Sequence, residues 1–247
     1  SSASNHLAPL PHGLAPRPVS FTPLQSPDPL PRPLRVVWTL TTTAARISYI
    51  KPVLDAVIER LALPQDARLL DVGCGTGGNL SMLAGHGEVT GVEFFGTAAE
   101  LARQQAGCTV LEGPAEAIPI EEERFDLITM FDVLEHLDDE DPALAEVTRL
   151  LSPQGHFLFT VPAFMFLWSG HDVALHHRRR YDKAQLRGVL QQASFQIQWL
   201  SYYNAGLFPA VAAIRALRKL TGGGEEQADV AEGSGPMANL LEAVFAA

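Results

Sequence analysis

The sequence predicts a doubly wound α/β fold: a mostly parallel sheet with helices on both faces. Short apolar runs alternate with helical stretches through the middle of the chain, so consecutive strands need right-handed crossovers. A glycine-rich turn closes the first of these runs. The length of 247 residues, 47% of them hydrophobic, suffices to bury the core of one such domain and leaves chain over for appendages.

In order along the chain, residues 1–43 form a proline-rich arm. Half of the prolines lie before residue 35, where Asp28 is the only acid, and proline both fixes φ and removes a donor. This arm is expected to be disordered or extended. The run "ARISYIKPVLDAVIERLAL" spaces Ile47, Ile50, Val53, Leu54, Val57, Ile58 and Leu61 as one helical face, with Pro52 as a kink or as the true start. Strands follow at 68–73, 88–93, 108–112, 126–131 and 155–161, and helices at 77–85, 97–106 and 141–151. Beyond Pro162 come an aromatic and basic loop, a helix at 183–192 and a sixth strand at 195–202. Residues 44–205 thus form the α/β domain. Residues 206–247 are read as two helices, 206–220 and 237–246, joined by the acidic linker "TGGGEEQADVAEGSGP". No seventh strand is evident after 205, which would leave the sixth exposed and open to pairing in a homodimer.

The net charge of −10 argues against duplex DNA as a partner, because such binding draws on Lys and Arg neutralising phosphates. No apolar run is long enough for stable membrane insertion. Two cysteines, Cys74 and Cys108, are too few for a disulfide framework and fit a reducing, cytoplasmic setting.

The turn is "LLDVGCGTGG", with four glycines in the six positions 73–78. Backbone without Cβ turns sharply and lets a ligand approach the main chain, as nucleotide ligands require. Gly73, Gly75 and Gly78 satisfy G-x-G-x-x-G, and Glu93 stands at the end of the second strand, where an acid takes ribose hydroxyls. These features alone fit NAD or another adenosine ligand. Asp71 separates the two, since a diphosphate gains nothing from a neighbouring carboxylate, whereas a ligand carrying an ammonium and a sulfonium does.

At this point the chain resembles the class I S-adenosylmethionine (SAM)-dependent methyltransferases over most of 45–205. "LLDVGCGTGG" is similar to their first motif and "VTGVEFF" to their second. "LEGPAEAIP" resembles the adenine-edge loop and "FDLITMFDVLEHL" the fourth strand and its turn. The resemblance implies a Rossmann-like fold and SAM as cofactor. It implies cofactor contacts from Asp71, Gly73, Cys74, Gly75, Gly77, Glu93 and Phe94, and from the Phe131 carbonyl. Pro114 stands where the family's adenine-binding acid is usual, leaving Ala115 N–H and Glu116 for that contact.

The implied reaction is methyl transfer to a small-molecule acceptor, at a hydroxyl or carboxylate oxygen. A non-catalytic SAM-binding partner or sensor and a nicotinamide oxidoreductase are the alternatives. A base for a hydroxyl acceptor would come from His136, His171 or His177. Some small-RNA and quinone O-methyltransferases carry an acid-x-x-Glu-His turn with a later histidine around a divalent ion. That similarity implies Asp132, Glu135, His136 and His171 or His176 as ligands, a metal being an option rather than an expectation. A purely structural role for all these groups stands beside both readings. The triplet Arg178–Arg180 would favour an anionic acceptor if it faces the pocket.

Overall fold

A computed structural model describes residues 32–39, 51–121 and 124–203. The helices read at 206–220 and 237–246, and the linker between them, lie outside the described residues. Seven strands form one sheet in the order β4-β3-β2-β5-β6-β1-β7, all neighbours parallel. They are β1 (Arg32–Thr39), β2 (Arg68–Val72), β3 (Glu88–Glu93), β4 (Thr109–Glu112), β5 (Phe125–Phe131), β6 (Leu151–Thr160) and β7 (Phe195–Tyr203). The helices are α1 (Lys51–Glu59), α2 (Leu80–Leu83), α3 (Gly96–Ala106), α4 (Asp141–Leu150), α5 (Gly170–Ala174) and α6 (Lys183–Gln192).

Both faces of the sheet are buried, which is why its strands read as continuous apolar runs. Leu69 and Leu127 face a cluster built from α1, α2 and α3 through Val57, Ile58, Leu80, Leu83, Ala99 and Ala102. Leu70, Ile128, Phe157 and Phe159 face the opposite cluster, with Leu144 and Val147 of α4 and Leu186 and Leu190 of α6. The chain runs outward from β2 through β3 to β4, then returns and runs the other way from β5 to β6. The reversal lies between β2 and β5, and in sheets of this kind ligands bind at that point, beyond the carboxyl ends of the strands.

Two elements depart from the sequence reading. Residues 32–39 of the proline-rich arm are a strand, pairing with β6 through Leu34–Phe157 and with β7 along its whole length. Thus the additional strand comes from the amino-terminal side of the domain rather than from beyond residue 205. The last strand, β7, stays at a sheet edge and meets the sheet through β1. The helix expected at 77–85 shrinks to Leu80–Leu83, because Gly73, Gly75 and Gly77 adopt positive φ (75°, 56° and 89°) and hold the segment in turns.

Candidate active site

The reversal point brings together the end of β2, the glycine turn and the end of β5. Asp71 is 1% exposed, and its Oδ1 accepts a 2.7 Å hydrogen bond from the Thr129 hydroxyl on β5. Its Oδ2 is sealed from solvent and has no partner. Burial lifts the Asp71 carboxyl to about 7; Thr129 opposes the shift and the nearby Glu93 charge adds to it. The same burial, with Asp71 and Glu93 nearby, pushes the Cys74 thiol up to about 12, so Cys74 lines the turn as a neutral thiol.

Glu93 ends β3 beside the turn. Its Oε2 accepts from Gly75 N–H at 2.8 Å and its Oε1 from Phe95 N–H at 2.9 Å. The carboxylate is fixed by two backbone donors and keeps lone pairs for a further donor. Gly75 has open space where a Cβ would stand, whereas a Cβ on Gly77 would meet Ala102 at 3.2 Å. A Cβ on Gly73 would lie 2.5 Å from Val133 Cγ2, so the glycine turn touches the turn after β5 directly. Phe94 is 61% exposed and meets Phe95 edge-on at 5.2 Å. Ala115 is buried, Glu116 exposed, and Phe131 is the last residue of β5. Because α2 has only four residues, the cradle is made of turn backbone rather than a helix terminus.

The turn after β5 continues as a 3₁₀ segment, Leu134–His136. Asp132 is left-handed (φ 55°), its N–H donates to Thr160, and its Oδ1 accepts from the Thr160 hydroxyl at 3.0 Å. Glu135 is fully buried, and neither carboxylate oxygen has a partner. Burial above all, with Asp132 nearby, pushes its carboxyl well above the usual range. His136 is exposed; burial of part of its ring and the neighbouring His177 hold its imidazole below the usual value. The two rings meet edge to face, centroids 4.8 Å apart.

Opposite this turn stands the segment 163–182, in which the sequence reading placed a loop and the structure places α5. Asp172 on α5 is fully buried. Its Oδ1 accepts from Arg180 Nε at 2.7 Å and pairs with His177 Nδ1 at 3.0 Å, while Oδ2 accepts from Arg180 Nη2 at 2.9 Å and Ser169 N–H at 2.8 Å. Burial works against the charge, but His177 and Arg180 outweigh it and hold Asp172 well below the ordinary carboxylate range. The Ser169–Asp172 capping box was a readable signal of this helix start.

The set of groups that converge differs from the one the sequence implied. Glu135, His136 and His177 bring potential ligand atoms within 4.8 Å of one another. Asp132 is turned to Thr160, and His171 lies outside this group. His171 thus lies outside the group, while the His176 backbone meets His136 and the Asp132 charge acts on Glu135 without either joining the cluster of ligand atoms. The three arginines are also occupied. Arg178 pairs with Asp138, Arg179 with Glu140 and the Leu137 and Asp138 carbonyls, and Arg180 with Asp172. Arg178 and Arg179 staple the two walls together, as does Tyr181, whose hydroxyl donates to Glu140 at 2.7 Å, while Arg180 ties segment 163–182 to itself.

A doubly wound sheet with a bare glycine turn, an acid at the end of its second strand and a buried acid with one unpartnered oxygen at its reversal point defines a nucleoside-binding domain of Rossmann-like type. Comparison narrows this. Residues 70–159 match a family model described as a methyltransferase domain. The chain is 32% identical over 178 residues to the malonyl-[acyl-carrier protein] O-methyltransferase of Enterobacter lignolyticus, covering 68% of each. It is 36% identical over 114 residues to the ubiquinone biosynthesis O-methyltransferase of Alkalilimnicola ehrlichii, covering 43% of this chain and 46% of that protein. The fold recurs in a solved complex between the Haloferax volcanii Trm112 methyltransferase activator and a methyltransferase. There the TM-score is 0.50 at 18% identity, covering 59% of this chain and 68% of that one. The chain belongs to the SAM-dependent methyltransferases. Among the described residues, no helix is long and apolar enough to cross a membrane.

Proposed function

We propose that this protein transfers the methyl group of SAM to an oxygen, hydroxyl or carboxylate, of a small-molecule acceptor. The observation that carries the cofactor half of this reading is Asp71 Oδ2, a buried and unpartnered carboxylate oxygen beside the fixed carboxylate of Glu93. Two acids and a neutral thiol form a place for a cationic adenosyl ligand and repel a diphosphate. Glu93 accepts the ribose hydroxyls, Phe94 covers the adenine, and Ala115 N–H with Glu116 meets the adenine edge. Asp71 and the Phe131 carbonyl take the ammonium. Gly73, Cys74, Gly75 and Gly77 give the backbone room for that approach.

SAM supplies a methyl group on an already activated sulfur, so the transfer needs no metal. The chain's own contribution is alignment, which can supply up to about 7–11 kcal/mol of the barrier in favourable cases. The two O-methyltransferase relatives support oxygen as the acceptor atom. With its arginines occupied internally, the basic segment gives no support to an anionic acceptor.

Calorimetric titration with SAM, S-adenosylhomocysteine and NAD tests the cofactor assignment. SAM and its product should bind and NAD should not, and NAD binding alone would refute the reading. Detection of S-adenosylhomocysteine formed with phenolic and carboxylate acceptors tests the choice of oxygen.

A further inference from the structure

Resting on the reading of Ala115 and Glu116 as the adenine edge of the SAM site, we propose that Glu146 and Arg149 of α4 are positioning residues for the cofactor's base. They hold the main chain of residues 115–121 in the one course that accepts adenine and rejects a purine with the reversed hydrogen-bonding edge. The two residues lie three apart on the helix, so they share a face. Arg149 Nε and Nη2 grip Glu146 Oε1 and Oε2 at 2.7 and 2.6 Å. From that fork the pair reaches the loop at four points. Glu146 Oε2 accepts from Ile118 N–H at 2.9 Å, and Arg149 donates to the carbonyls of Ile118 at 3.3 Å, Ile120 at 2.8 Å and Glu121 at 3.1 Å.

The start of the loop is fixed too. Gly113 N–H donates to the Glu93 carbonyl at 3.0 Å, and Pro119 folds back so closely that a Cβ on Gly113 would meet its Cδ at 2.7 Å. Between these ends Ala117 N–H donates to the Pro114 carbonyl at 3.3 Å, closing a turn around residues 115 and 116. The side chains of Ala115, Ile118 and Ile120 are buried in the cluster that holds Leu144 and Val147 of α4. The loop is therefore set between the peptide of Glu93 and helix α4.

Pro114 gives this framing its importance. It contributes neither a carboxylate nor an N–H, which leaves Ala115 N–H to donate to adenine N1 and Glu116 to accept from the N6 amino group. A main-chain donor has no rotamers, so its aim is decided by the course of the loop, and that course is what the four bonds fix. Hypoxanthine presents a donor at N1 and an acceptor at O6, the reverse of adenine. Both contacts would then set like against like, which costs more than a contact merely missing. An ion pair with Arg149 37% exposed adds little to stability by itself. Its bonds to the loop backbone give it a different task.

Calorimetric titration with S-adenosylhomocysteine and with S-inosylhomocysteine, its deaminated counterpart, tests the proposal as a ratio of affinities. Loss of folded protein reduces binding of both ligands alike and leaves the ratio untouched. The unsubstituted chain should prefer the adenosyl compound by about 10²-fold or more. Arg149→Lys keeps the charge but not the planar fork, and should cut that preference about 10-fold. Glu146→Gln retains an acceptor for Ile118 N–H and should cut it about threefold, which keeps the question decidable if the Lys variant does not fold. Methylthioadenosine, which has the adenine but no amino-acid end, should lose as much affinity in Arg149→Lys as S-adenosylhomocysteine does. An unchanged preference in both variants would overturn the proposal and leave the SAM reading standing, as would equal affinity of the unsubstituted chain for the adenosyl and inosyl compounds. A loss confined to S-adenosylhomocysteine would place the effect at the ammonium and overturn the proposal too. If the unsubstituted chain binds neither homocysteine compound, the SAM reading itself fails and the proposal falls with it.

Discussion

The two walls of the crevice are built by opposite means. The proposed cofactor wall consists of backbone, with glycines that leave room and carboxylates held by N–H groups or, at Asp71, left with one oxygen unpartnered. The proposed acceptor wall consists of side chains locked in ion pairs: Arg180 with Asp172, Arg179 with Glu140, Arg178 with Asp138. One wall stores unmet electrostatic demand for a cation; the other has met its demand internally. Ligand binding should therefore stabilise the first wall strongly, while substitutions should injure the second through folding.

Asp172→Ala breaks this contrast most severely. It leaves Arg180 buried without its carboxylate, and removing one partner of a buried pair costs about 3–5 kcal/mol. Chemical denaturation should register that loss. Replacing the pair together by Asp172→Leu and Arg180→Met should recover most of it.

Asp71→Asn should act in the other direction on the cofactor wall. The folded-state value of Asp71, about 7, lies above its ordinary 3.8, so the folded chain binds the extra proton between these limits. Stability of the ligand-free protein then falls as pH rises from about 4 to 7, and levels off above. The Asn variant should lack this fall, melting later than the unsubstituted protein at pH 8 yet binding SAM less tightly. Equal pH dependence of the two melting curves would contradict the assignment of the Asp71 carboxyl.

Glu93→Gln keeps the shape but removes the charge that two N–H groups grip. SAM affinity should drop about 10- to 100-fold in calorimetry, the range expected for charge-assisted hydrogen bonds worth about 1.5–3 kcal/mol. The smallest effect belongs to Arg178→Ala. Its pair with Asp138 is largely exposed, and such pairs contribute about 1 kcal/mol or less. A melting-temperature shift as large as that of Asp172→Ala would show that the two walls do not differ as argued.

The contrast also explains which parts were legible in the sequence. β2, β3, β5 and α3 lie within a residue or two of their expected places, because burial on both faces writes itself as local apolar runs. The geometry of the proposed cofactor wall was legible because Asp71, the glycines and Glu93 lie in local backbone of adjacent elements. The acceptor wall was not, because its order depends on partners far apart in sequence, such as Arg179 with the Leu137 and Asp138 carbonyls, 42 and 41 residues away. Three consecutive arginines look like an anion clamp until each is seen with its own acid. His177 was readable as a candidate, but its commitment to Asp172 depends on the bend between α5 and Arg178, where His176 takes a left-handed conformation. The strand at 32–39 was hidden by the prolines around it.

The contact between Gly73 and Val133 has a consequence for how the molecule tolerates change. A methyl group at position 73 would have to occupy the volume of the Val133 side chain, so the loop could keep its course only if the neighbouring segment moved aside. That segment carries His136 three residues on. A single added carbon on the nucleoside side would thus be registered as a misplaced imidazole on the far side, and the two halves of the cleft must evolve in concert.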